Sequence, residues 1–206
     1  TQGYSSAASD VYKRQVCASR ELSGEAYGFA RAFSGKDCFG ADAIRWLDKN
    51  LFGRGLEAGA VSLYFLPLGE PTCPTPDNVR FVFLEKESLP PFYLPQWSNA
   101  LCEERKGLDA FAVAALCGGL TAGLAGASCD CSDMLQIGVD VLPAFRGRGL
   151  GAALTSRLAA CIRAAGKTAF YCCEAGNLPS IKTALRSGFR PTATRLSAQK
   201  QKPDAF

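Results

Sequence analysis

The sequence has 206 residues, 48% of them hydrophobic and 20% charged, enough for one α/β domain with its own core and hardly enough for two independent ones. Its net charge of +4 is not gathered into a Lys/Arg run that could neutralise a row of phosphates, which argues against a dedicated nucleic-acid binder and leaves small anionic ligands open. With no histidine, hydrolase mechanisms that lean on an imidazole base are excluded, so any base must be a carboxylate, a tyrosine, a thiolate or water.

Residues 1–15 lack apolar periodicity. Asp10-Val11-Tyr12-Lys13-Arg14-Gln15 resembles the translated end of a transposon used to prepare sequencing libraries, so a non-native or disordered tail is expected there. An N-terminal extension over 16–77 follows. In it Ile44, Leu47 and Leu51 recur at helical spacing and predict a helix over 38–53, with Gly53 as its stop. A strand is expected over 60–66, and the proline-rich stretch 70–77 reads as a loop.

The main core is expected over 78–198, starting with a strand over 79–84 and a short helix over 94–104 after Pro90-Pro91. Residues 110–129 carry no charge, and Gly119 and Gly123 have the spacing of paired membrane helices. The run is too rich in glycine for a spanning helix, and Gly118-Gly119 is a hairpin signal between strands 111–116 and 120–128. A strand over 134–142 then leads to a helix over 149–165, with Leu150, Leu154, Leu158 and Ile162 in one apolar stripe. A strand over 168–173, a helix over 179–187 and a strand over 189–197 complete the core, and 199–206 is a C-terminal tail.

The ten cysteines fall partly inside apolar segments of a chain too large to need staples, and read as reduced thiols of a cytoplasmic protein. Neither Cys129-Asp130-Cys131 nor Cys172-Cys173 has the spacing of a zinc site, and no metal is expected. Cys172 and Cys173 lie in an apolar strand, where burial suppresses thiol reactivity.

The segment that carries chemistry is Arg146-Gly147-Arg148-Gly149-Leu150-Gly151. It follows a strand and opens a helix, so unpaired N–H groups and the positive end of the macrodipole face the turn, and glycines let a phosphate approach. Arg146 and Arg148 add charge-assisted donors. No Lys-Ser/Thr follows the last glycine, which excludes a P-loop, and the glycine spacing does not fit a dinucleotide fingerprint. On spacing alone, a tight left-handed turn carrying two surface arginines is the alternative.

The run resembles the Arg/Gln-x-x-Gly-x-Gly/Ala signature of the GNAT superfamily of N-acetyltransferases through Arg146, Gly149 and Gly151, preceded by Val141-Leu142-Pro143. A second family pattern is matched by Asn177, Ser180 and Gly188-Phe189, and the similarity covers roughly 79–197. The resemblance implies a mixed, mostly antiparallel central sheet flanked by helices, here with an N-terminal helix-strand extension, and acetyl-CoA as co-substrate. It implies that the backbone of Val139 and Val141 binds the pantetheine arm and that residues from Arg146 to Gly151, with Ala152, hold the diphosphate. Asn177 and Ser180 would line the other side, although Asn177 reads equally well as a helix N-cap.

The implied reaction is transfer of an acetyl group to a primary amine of a small molecule or peptide. It needs a base, for which Asp140 and Glu174 are the candidates, each also readable as a solvated or salt-bridged acid. Many relatives carry a tyrosine seven residues after the asparagine, to protonate the leaving thiolate; Ala184 stands there in this chain. That departure motivates an alternative, an acyl-CoA-binding protein without turnover. Acceptor pockets in such folds are built from variable loops, so the motifs specify the co-substrate and neither the acceptor nor the oligomeric state.

Overall fold

The structure, a computed structural model, describes residues 14–70 and 73–201. The chain forms two compact units, one of residues up to Val61 and from Arg195 onward, the other from Ser62 to Thr194.

The first unit holds helices α1 (Ser23–Ala32) and α2 (Ala41–Leu51) and a small antiparallel sheet of β1 (Leu56–Ala58) with β9 (Ala198–Lys200). Helix α1 was not legible in the periodicity because it buries no residue fully. Its Phe29 and the C-cap residue Phe33 pack on Trp46 of α2, with ring centroids 5.8 and 6.4 Å away. Gly28 admits this packing, since a Cβ there would meet the indole at 3.1 Å. The helix expected over 38–53 is shortened to α2 by 3-10 turns at Gly35–Phe39 and Phe52–Arg54. Most of the expected tail 1–15 lies outside the described residues; Arg14 donates to the carbonyl oxygens of Phe33 and Ala30. Part of the expected C-terminal tail is strand β9, while 202–206 lie outside the described residues.

The second unit is a seven-stranded sheet flanked by helices. Its strands are β2 (Ser62–Pro67), β3 (Val79–Glu85), β4 (Asp109–Cys117), β5 (Leu120–Ser128), β6 (Met134–Val141), β7 (Thr168–Glu174) and β8 (Phe189–Arg195). Their spatial order is β3-β4-β5-β6-β7-β2-β8. The uncharged stretch is the β4–β5 hairpin, turned by Gly118 and Gly119 at φ 55° and 85°. Among the described residues no helix is long and apolar enough to cross a membrane. Strand β2, sequence-adjacent to the first unit, is inserted between β7 and β8 and pairs antiparallel with β7.

Helix α3 (Leu150–Ala164) lies on the sheet through its expected stripe, with Leu150, Leu154, Leu158 and Ile162 all buried. The approach is close because β5 offers Gly123, where a Cβ would stand 2.7 Å from Leu154. Helix α4 (Leu178–Arg186) is tied to α3 by the buried Ser187, whose hydroxyl donates to Ala152 O at 3.2 Å.

The helix expected over 94–104 does not form. Two 3-10 turns, Pro95–Trp97 and Glu103–Arg105, replace it. The N–H groups of Asn99 and Ala100, which a helix would close on its own carbonyls, are taken by Asp140 of β6. The expected final strand likewise divides, as β8 ends at Arg195 and the chain re-enters a strand only at Ala198.

Candidate active site

Strands β6 and β7 pair in parallel, and their pairing stops halfway, at Ile137 against Tyr171. Beyond it β6 continues to Val141 alongside β5, while Tyr171 to Glu174 pair with β2. The two strands therefore diverge, and a cleft of about 780 Å³ opens between them, running to the first turn of α3. Four residues of strand, about 13 Å at 3.3 Å per residue, separate its apex from the helix end. That shape suits an elongated ligand with an anionic end.

The anionic end would meet α3. Gly147 and Gly149 both have φ 79°, a left-handed conformation that side chains disfavour. Gly149 is the N-cap and offers no side chain to satisfy the helix end. The first N–H to close on the helix is that of Ala153, at 3.0 Å from Gly149 O, leaving those of Leu150, Gly151 and Ala152 directed out of the helix end. Arg146 turns back so that its Nε donates to Val141 O at 2.9 Å. This fixes the guanidinium beside the turn and occupies the carbonyl of Val141, one of the two backbone positions expected to hold the pantetheine arm. The glycine cradle, the open N–H groups and the cation fit a diphosphate.

Val139, Val141, Arg146, Gly147, Gly149, Gly151, Ala152, Asn177, Ser180, Asp140 and Glu174 all line this cleft; Arg148 is exposed and does not. Asn177 caps α4, its Oδ1 accepting from Ser180 N at 3.1 Å, which leaves its amide nitrogen available to a ligand. The two candidate bases differ. The carboxylate of Asp140 accepts from Asn99 N, Asn99 Nδ2 and Ala100 N at 2.8, 2.7 and 2.9 Å, so it holds the 97–101 segment against the cleft. Glu174 is exposed at the cleft mouth, at the end of β7.

Lining residues not singled out from the sequence as parts of the site include Lys182, Arg186 and Asn99. Lys182 and Arg186 stand one turn apart on α4 and add cations, a spacing visible in the sequence. Asn99 comes from the misread segment 94–104. Tyr171, 4% exposed, marks the apex, with its hydroxyl 2.7 Å from Ser180 Oγ. Burial pushes its phenol up to about 12. The Cys173 thiol is also raised, first by burial. Among the described residues the ten cysteines form no disulfide.

Residues 106–196 match the family model described as FR47-like protein. No curated protein matches the chain. Among solved structures, a GCN5-related N-acetyltransferase-like protein from Streptococcus suis 89/1591 is similar with TM-score 0.53 and 16% identity, over 74% of this chain and 66% of that one. A GCN5-related N-acetyltransferase from Kribbella flavida gives 0.54 and 20%, over 74% and 62%, and one from Sphaerobacter thermophilus gives 0.51 and 14%, over 80% and 57%. The chain thus spans about two thirds or less of the length of these proteins, and at such identities the likeness is one of fold. The chain therefore shares its fold with GCN5-related N-acetyltransferases, and its residues 106–196 match the FR47-like model.

Proposed function

We propose that this protein is an N-acetyltransferase that takes an acetyl group from acetyl-CoA and passes it to a primary amine of a small molecule or peptide. The observation that carries the reading is the continuity of one cleft from the open N–H groups of α3 to the divergence of β6 and β7. Arg146 and the turn from Gly147 to Gly151 would hold the diphosphate. The backbone of Val139, with the amide of Asn177, would orient the arm. Attack needs a neutral amine, and an amine of lysine type is almost wholly protonated at neutral pH. Glu174 is the proposed acceptor of that proton, directly or through water, because the carboxylate of Asp140 is already engaged by three donors.

A second reading, acyl-CoA binding without turnover, is favoured by one observation: Ala184, fully buried, stands where many relatives carry a tyrosine. Thermal unfolding with acetyl-CoA, ATP and NAD tests the shared part of both readings. At a hundredfold excess over Kd, acetyl-CoA should stabilise by about 2.7 kcal/mol, and Arg146→Ala combined with Gly149→Asp should remove the gain. An equal response to ATP would reduce the turn to a general anion site. Thiol release across a panel of amines then separates transfer from binding alone.

A further inference from the structure

With Ala184 in the place of a tyrosine, the sulfur at the far end of the arm needs a donor from elsewhere on the cleft wall. The apex supplies one. The Tyr171 ring is fixed edge-on between Phe65 and Phe189, each centroid 6.3 Å away. So held, its hydroxyl reaches Ser180 Oγ at 2.7 Å, on the first turn of α4, where Ser180 lines the cleft.

Two hydroxyls in contact share one hydrogen. The buried phenol stays protonated well above the range in which a free thiol of about 8.5 titrates. Either hydroxyl can be the donor of this bond; where Tyr171 donates to Ser180, Ser180's own O–H is turned away from the phenol. Ser180 also hydrogen-bonds the Cys173 thiol, a weak acceptor that a ligand's sulfur would replace.

We propose that Ser180, oriented by Tyr171, is the hydrogen-bond donor to the sulfur of CoA at the apex of the cleft, in place of the absent tyrosine; this rests on the acetyl-CoA reading above. When the amine attacks and the C–S bond breaks, the electron pair passes to sulfur. Ser180 steadies that charge while keeping its proton, and water supplies the proton that later neutralises the sulfur. Ser180 acts on the reacting atom; Tyr171 is a positioning residue.

The test needs no acceptor. Calorimetric titration of the whole chain with CoA and with acetyl-CoA, from about pH 7 to about pH 10, compares a ligand whose sulfur can ionise with one whose sulfur cannot. Asp140 of β6, Cys172, Cys173 and Glu174 of β7, and Lys182 of α4 face the same cleft. Their titration acts on both ligands, so the ratio of the two affinities isolates the ligand's thiol. In the parent the ratio should shift towards CoA by about tenfold as pH rises, equivalent to a thiol pKa lowered by one unit on the protein. Ser180→Ala should flatten it, Ser180→Thr should restore it, and Tyr171→Phe, which keeps the ring packing, should diminish it. A ratio in the parent that does not move with pH overturns the proposal, as does an equal loss of both ligands at every pH in Ser180→Ala. No binding of acetyl-CoA by the parent would overturn the function proposed above, and this inference with it.

Discussion

Asp140 and Asn99, 41 residues apart, are locked together through both carboxylate oxygens: Oδ2 accepts the backbone N–H at 2.8 Å and Oδ1 the side-chain amide at 2.7 Å. With Ala100 N at 2.9 Å on Oδ2, the aspartate does for this segment what a helix cap does for a helix. Asp140→Ala should therefore lower stability by about 2 kcal/mol, since hydrogen bonds to a charged acceptor are lost and their donors left unpaired. Asp140→Asn should cost nearly as much, because its amide nitrogen would face another donor. Urea unfolding checks both. Midpoints unchanged from the parent would mean that the carboxylate is free for proton transfer after all.

The same segment lies directly on strand backbone. A Cβ at Gly138 would stand 1.8 Å from Asn99 O, and one at Gly126 would stand 2.1 Å from Ala100 O. Neither obstacle is a flexible side-chain end, so Gly138→Ala should cost about 3 kcal/mol, at the upper end of overpacking. It should also displace Asn99 from the cleft. Differential scanning calorimetry would detect the loss, and a melting temperature within a degree or so of the parent would contradict the packing described.

Asp109 is buried, and its carboxyl is held above its ordinary 3.8, first by that burial, while the Tyr93 hydroxyl at 3.1 Å pulls it down. The native state thus keeps this proton to higher pH than the unfolded chain does. Its contribution to stability is fully present below 3.8 and is lost as pH rises through the raised native value. Tyr93→Phe removes a partner that favours the ionised form, so the decline should extend to higher pH than in the parent. Subtracting the two pH profiles of urea midpoints isolates the effect from other carboxylates. Parallel profiles would show that Tyr93 does not tune Asp109.

Lys182 and Arg186 are like charges at i and i+4 on one exposed face of α4 and both line the cleft, a pairing that costs an empty helix a few tenths of a kcal/mol. Replacing both with Gln should leave the unliganded protein as stable or slightly more so. It should weaken acetyl-CoA by about tenfold at low salt and flatten the salt dependence of binding. Affinity that matches the parent at low salt would place the ligand's charges elsewhere.

What the sequence disclosed was mostly local. The Gly118-Gly119 turn and the stripe from Leu150 to Ile162 are set by residues within one or two turns of each other, and both were read within a residue or so. The glycine turn that opens α3 was legible for the same reason, since glycines, arginines and helix end are contiguous. Segment 94–104 was misread because the groups that undo its helix belong to Asp140, far away in sequence. Tyr171 and Ser180 illustrate the same limit at the site: nothing in either neighbourhood says that the two hydroxyls meet. Asn177 showed both sides, as its capping role was readable from the residues that follow it.

Strand β2 has a consequence for how the protein comes to be made. It leaves the ribosome about a hundred residues before β7 and β8, between which it lies in the finished sheet. Until then Leu63 and Phe65 lack the strand they face in the finished sheet, and the sheet that α3 covers is short of a strand. Such a late, long-range closure is slow and leaves an apolar edge waiting. A fragment cut to the matched span 106–196 would retain the glycine turn before α3 and carry an open slot beside Tyr171. Its tendency to capture β2 from a full-length copy, by strand exchange, is built into the order in which the strands occur along the chain.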